Sequence, residues 1–122
     1  GKLPELEQVA SREEWTSPIP ELKEIERPDR QVDLHLEKII DVKRYKANEE
    51  MALDIQMQYF EKNLEKAIAL KYPKIVFIHG LGAGVLKTKI NSYLQKLPSV
   101  LNYGTADVKK YGQGAIEIFI KP

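Results

Sequence analysis

The stretch Lys74-Ile75-Val76-Phe77-Ile78-His79-Gly80-Leu81-Gly82-Ala83-Gly84-Val85-Leu86-Lys87 constrains this chain more than any other. Its first half is a short apolar run rich in β-branched residues and bounded by turn formers, the pattern of a buried strand. The run ends in His79 and in three glycines at alternate positions, Gly80, Gly82 and Gly84. Helical spacing then takes over, with Leu86, Ile90, Leu94 and Leu97 on one stripe and Tyr93 beside them. A strand, a glycine loop and a helix start together make an anion site. Glycine lets the backbone approach a ligand closely, and first-turn amides have no intrahelical partners.

Familiar glycine motifs do not fit this loop. The dinucleotide fingerprint G-x-G-x-x-G needs glycine where Val85 stands. The phosphate loop G-x-x-x-x-G-K-[ST] needs glycine immediately before Lys87-Thr88, a place taken by Leu86. The His-Gly oxyanion loop of esterases requires a G-x-S-x-G elbow, which the chain lacks. The cradle is of another kind.

With 122 residues the chain has room for one domain with one core. It has no cysteine, which excludes disulfides and thiolate metal sites. No secretory h-region and no apolar run of membrane-spanning length is present, so the simplest compartment is the cytoplasm and no membrane partner is expected. The net charge of +1 means that any nucleic-acid binding must come from a local basic face or from neighbouring domains.

Residues 1 to 30 hold four of the seven prolines, Pro4, Pro18, Pro20 and Pro28, among mixed charges. They read as an extended linker, with one short helix around Glu5 to Glu14 and with Trp15 docked on the surface of the domain. The domain proper is then 31 to 122. Gln31 to Leu36 alternates as a strand, with Val32, Leu34 and Leu36 on one face and Asp33 and His35 on the other. Asn48 caps a helix of about six turns, and Glu49 and Glu50 suit the positive end of its dipole. Leu53, Met57, Phe60, Leu64, Ala67 and Ile68 mark its apolar face, and Lys71 and Pro73 end it. After the glycine loop and its helix, Leu101 to Tyr111 and Ala115 to Lys121 read as two strands joined by Gly112-Gln113-Gly114. The expected architecture is α/β, a compact two-layer β-α-β-α-β-β sandwich with a mixed sheet.

Ligands of α/β proteins bind at the carboxyl ends of parallel strands, which is where Asp33, His35 and His79 fall. His35 and His79 are the only two histidines in the chain. Lys87 and Lys89 at the start of the second long helix, with Lys109 and Lys110 before the last turn, offer a phosphate-facing patch. Gly112 and Gly114 form a second glycine turn at the same edge. Each feature also has a plainer reading: a solvated strand face, a histidine bonded to nearby backbone, a tight turn, surface lysines. Two histidines and a carboxylate bring a metal site to mind, but no spacing specifies one.

Val32-Asp33-Leu34-His35, the long amphipathic helix, Ile78-His79-Gly80-Leu81-Gly82-Ala83-Gly84-Val85-Leu86-Lys87 and Tyr111-Gly112-Gln113-Gly114-Ala115 resemble the Smr (small MutS-related) domain. The resemblance covers residues 31 to 121 and includes both family motifs, a hydrophobic-Asp-x-His strand and a His-Gly-x-Gly-x-Gly loop. It implies an α/β sandwich similar to the C-terminal domain of a bacterial translation initiation factor. It also implies an endonuclease that nicks DNA or cleaves RNA, including messages on stalled ribosomes. Such domains often close a longer bacterial protein, so an upstream domain of the same chain is an expected partner.

On that resemblance Asp33 and His35 activate or orient the nucleophile, and His79 acts as a second acid/base or polarises the phosphate. The amides of Gly80, Gly82 and Gly84 hold phosphoryl oxygens. No metal ligand is assigned, and a requirement for Mg²⁺ or Mn²⁺ stays open. The family usually has glycine directly after the first histidine, where this chain has Leu36. A bulkier residue there is expected to narrow the approach of a phosphate. Leu36 and the near-zero net charge favour the alternative, a non-catalytic module that binds nucleic acid, a ribosome or a protein.

Overall fold

The structure, a computed structural model, describes residues 20–122 apart from Ala83. The helix expected around Glu5 to Glu14 and the docking of Trp15 lie outside the described residues. The described elements run β1 (Gln31–Asp33), α1 (Leu36–Ile39), α2 (Glu49–Ala69), β2 (Lys74–Ile78), α3 (Val85–Gln95), β3 (Val100–Thr105), α4 (Val108–Tyr111) and β4 (Ala115–Ile120).

The long helix α2 starts where its sequence says it should. The Asn48 side chain accepts a hydrogen bond from the Met51 amide at 2.8 Å, satisfying one orphan donor of the first turn. Phe60, Leu64 and Ala67 recur along one buried face in the main core, while Ile55 is buried on another side against Ile40. The helix closes as Lys71 takes a left-handed conformation, φ 61°, and the Tyr72 amide reaches back to the Ala67 carbonyl at 2.9 Å. Pro73 then forbids continuation.

The sheet has the order β1-β2-β4-β3. β1 and β2 are parallel, and β4 runs antiparallel to both β2 and β3. Period-two alternation divides the sheet into two faces. Val32, Ile75, Phe77, Ile116, Ile118 and Ile120 pack with Phe60, Leu64, Leu86, Ile90 and Leu94 in the main core, which lies between sheet and helices. The opposite phase carries a smaller cluster of Val76, Ala106 and Ala115, against which Ile78 and Tyr111 pack.

Two expected strands are shorter than their alternation implies. β1 ends at Asp33 rather than Leu36, because the Asp33 carboxylate accepts the His35 amide at 2.9 Å and turns the chain. His35 becomes the N-cap residue of α1. β3 ends at Thr105, not near Tyr111. Asp107 accepts the Lys109 amide at 3.0 Å and starts the single turn α4, so the Gly112–Gly114 turn follows a helix. The last segment before β1 is held against the domain. The Tyr72 hydroxyl donates to the Pro28 carbonyl at 2.7 Å, the Arg30 guanidinium stands 4.7 Å from the Tyr72 ring centre, and Leu22 packs on the Ile40–Ile55 cluster.

Candidate functional site

The register of β1 and β2 decides where the histidines go. Asp33 pairs with Ile78, and the Leu34 amide donates to the Ile78 carbonyl at 2.8 Å, so both strands end together. His35 and His79 therefore reach the same edge of the sheet.

Asp33 and His35 form a tight pair. The Asp33 Oδ1 stands 2.6 Å from His35 Nδ1, and their side chains are 34% and 46% exposed. The same oxygen accepts the His35 amide, so the carboxylate is fixed by two bonds. Partial burial pushes the Asp33 carboxyl up, but the bonds to the His35 amide and ring and the charges of His35 and Lys38 outweigh it and hold Asp33 below its ordinary value. An ionised carboxylate on Nδ1 selects the tautomer with the proton there and leaves the Nε2 lone pair free. That nitrogen is aimed at the glycine loop: a Cβ on Gly80 would stand 2.9 Å from it.

Gly80 is also bound from the other side. The His79 and Gly80 amides both donate to the Gly114 carbonyl, at 2.8 and 3.0 Å. A Cβ on Gly114 would come within 3.3 Å of the Gly80 carbonyl carbon, so the two glycine turns touch backbone to backbone. This corrects one expectation: the Gly80 amide is committed inside the protein and is not a phosphate donor. The first turn of α3, which follows Gly82 and Gly84, has amides without helical acceptors. Gly84 occupies the N-cap position of α3 with φ 84°.

His79 is placed differently from His35. Its Nδ1 pairs with the Gly80 carbonyl at 2.8 Å, which makes Nδ1 the donor. Its Nε2 is buried and has no hydrogen-bond partner among the described residues. Burial first, then the charges of Lys87 and His35, lower its pKa against the opposing bond to Gly80. The His79 ring is tied to the loop through the Gly80 carbonyl.

The other candidates are dispersed. A cavity of about 540 Å³ lies between the first turns of α2 and the glycine loop, bordered by His79, Gly82, Gly84 and Lys87 but not by Asp33 or His35. Gly80 borders the cavity too, and it is where the two histidines meet: His79 Nδ1 donates to its carbonyl, and a Cβ on it would stand 2.9 Å from His35 Nε2. Lys89 lines another groove, between α2 and α3, in company with Asp54 and Glu61. Lys109 and Lys110 lie in the last turn of α4, next to Gly112, with the Lys110 ammonium 5.2 Å from the Tyr111 ring centre. Sequence reasoning missed Glu49, Glu50 and Gln56 as walls of the cavity. Their only signal was a place in the first two turns of α2, which helix capping explained equally well. Among the described residues no group of three or more His, Cys, Asp or Glu is placed to hold a metal ion. No described helix is long and apolar enough to cross a membrane.

The fold that carries this site is shared by known proteins. The Smr domain family matches residues 32–121, and the chain belongs to that family. Its fold is similar to the Smr domain of Thermus thermophilus MutS2, at a TM-score of 0.58 and 22% identity over 75% of this chain and 98% of that one. YdaL, a stand-alone small MutS-related protein from Escherichia coli, aligns at a TM-score of 0.53 and 18% identity over 83% of this chain and 72% of that one. In sequence, the Endonuclease MutS2 of Carboxydothermus hydrogenoformans is 36% identical over 61 residues, half of this chain and 8% of that protein. That of Bacillus mycoides is 34% identical over 65 residues, 53% of this chain and again 8% of the relative. The chain thus matches less than a tenth of the length of those relatives.

The loop glycines differ in what they require. Gly80→Ala is expected to cost about 1–2 kcal/mol, because φ 82° disfavours a side chain and the new methyl meets the His35 ring. Gly82 has neither a left-handed φ nor any atom within 4 Å of a built Cβ, so Gly82→Ala should stay within about 0.5 kcal/mol. Urea denaturation of both variants checks the contrast, and equal losses would contradict it.

Proposed function

We propose that this domain cleaves phosphodiester bonds in nucleic acid, as an endonuclease with His35 as general base. The observation that carries the reading is the 2.6 Å pair of Asp33 and His35, with the free ring nitrogen facing Gly80 beside a helix N-terminus. Asp33 orients the ring and fixes its tautomer, and His35 Nε2 takes the proton of the attacking water or ribose hydroxyl. The amides at Gly82, Gly84 and the start of α3, with Lys87, receive the phosphoryl oxygens and the charge that develops on them. His79 is a positioning residue that holds the loop through the Gly80 carbonyl.

The name of the MutS2 relatives as endonucleases supports the same reading. So does the placement of Leu36. Its side chain packs with the Ile40–Ile55 cluster, and the His35 side chain beside it stays 46% exposed.

The test is to incubate the purified chain with supercoiled plasmid and with end-labelled RNA, following cleavage and binding separately. Nicks or defined RNA cuts are expected on at least one substrate. Binding of either without any cleavage would overturn the enzymatic reading and leave a recognition module that docks on nucleic acid, a ribosome or a protein.

A further inference from the structure

The cavity beside the glycine loop has no part in the proton transfer just described. Its walls are of two kinds. Leu53 from α2 and Val85 and Leu86 from the start of α3 give it apolar sides, while Glu49, Glu50 and Gln56 bring oxygen acceptors from the first two turns of α2. The Gln56 side-chain amide is tied down, donating to the Leu34 carbonyl at 2.9 Å, which leaves its oxygen as an acceptor. Neither Glu49 nor Glu50 has an ion-pair partner among the described residues. Two carboxyl groups offer acceptors and no place for phosphate, so the α2 side suits a neutral group rich in N–H donors, whereas the opposite side carries Lys87 and the loop amides. A cavity with apolar walls, acceptors on one side and Lys87 with the loop amides on the other matches a nucleotide, base inward and phosphate on the loop.

We propose that this cavity is a base-recognition pocket for guanine. The inference rests on the nucleic-acid reading and deepens it by naming the base beside the bound phosphate. Guanine offers adjacent N1–H and N2–H donors on its Watson–Crick edge, which one carboxylate accepts together. Adenine, which lacks an N1 proton, offers one donor group there, and uracil one. A volume of about 540 Å³ leaves room for the larger bases. A bidentate contact of this kind discriminates between bases by roughly 5- to 150-fold.

The test uses the four ribonucleoside monophosphates as probes, titrated into the purified chain by calorimetry and by amide chemical shifts. GMP is expected to bind at least about fivefold more tightly than AMP, CMP or UMP, shifting the Leu53, Gly82 and Val85 amides. Glu49→Gln combined with Glu50→Gln should bring GMP affinity down to that of AMP. Both side chains are exposed, so the substitutions leave the core alone. Val85→Phe, which fills the cavity from an exposed position, should abolish the shifts at Leu53 for every nucleotide. Equal affinities for the four nucleotides, or GMP preference retained in the double variant, would overturn the proposal. Nucleotide binding is read without cleavage, so the two readings fail separately. Base-blind binding with active cleavage sinks the pocket alone, and guanine preference in an inactive chain sinks only the nuclease.

Discussion

Phe60→Ala is expected to destabilise the domain by about 3–5 kcal/mol. Phe60 is fully buried at the centre of the main core, where α2 crosses the sheet and α3. Its ring stands edge-on to Phe77 at 4.7 Å and to Tyr93 at 5.7 Å, so one truncation removes contacts with both the sheet and α3. Leu64 and Ile75 beside it are also fully buried and have no freedom to close the space. Denaturation midpoints in urea measure the loss, with Leu101→Ala, at a position 63% exposed, as the control that should barely move. A loss below about 1 kcal/mol for Phe60→Ala would mean that α2 does not pack in the phase described.

His35→Ala is expected to slow cleavage by about 10²–10⁴-fold while leaving nucleic-acid affinity close to that of the parent. The imidazole is the group whose nitrogen faces Gly80, and in the proposed mechanism phosphate is assigned to other residues. Asp33→Asn should slow cleavage through the same nitrogen. An amide in place of the carboxylate no longer fixes the proton on Nδ1, so part of the population presents Nε2–H, which is no base. Both side chains are partly exposed, and the fold should survive both changes. Single-turnover rates at saturating protein separate this loss from weakened binding.

How far the sequence went follows from which forces act over short distances. The long helix was legible in Leu53, Phe60, Leu64 and Ala67, because a period of 3.6 over 21 residues has no other meaning. The alternation of Ile116, Ile118 and Ile120 likewise named β4 and its buried face. The misread elements are those where one carboxylate overrides a pattern. Asp33 and Asp107 each accept a backbone amide two residues on, ending β1 early and beginning α4. The signal was present in both aspartates, but four-residue helices have no periodicity to support it.

Strand polarity brought His35 and His79 to one edge, while period two, followed past the strand ends, would have put Gly80 and His79 on opposite faces. The commitment of the Gly80 amide to Gly114 depends on the β2–β4 register, and no residue near Gly80 encodes it. Glu49 and Glu50 had a sufficient local explanation as N-terminal acids of α2, which hid their second position beside the loop.

The account turns on Asp33 and His35 acting as one unit on the phosphodiester. Its most direct test is a double-mutant cycle on single-turnover cleavage of one labelled substrate, using the parent, Asp33→Asn, His35→Ala and the two combined. If the carboxylate works only through the imidazole, the double variant cleaves as slowly as His35→Ala and no slower, with affinity unchanged throughout. Losses that simply multiply, or a His35→Ala variant that cleaves like the parent, would contradict it.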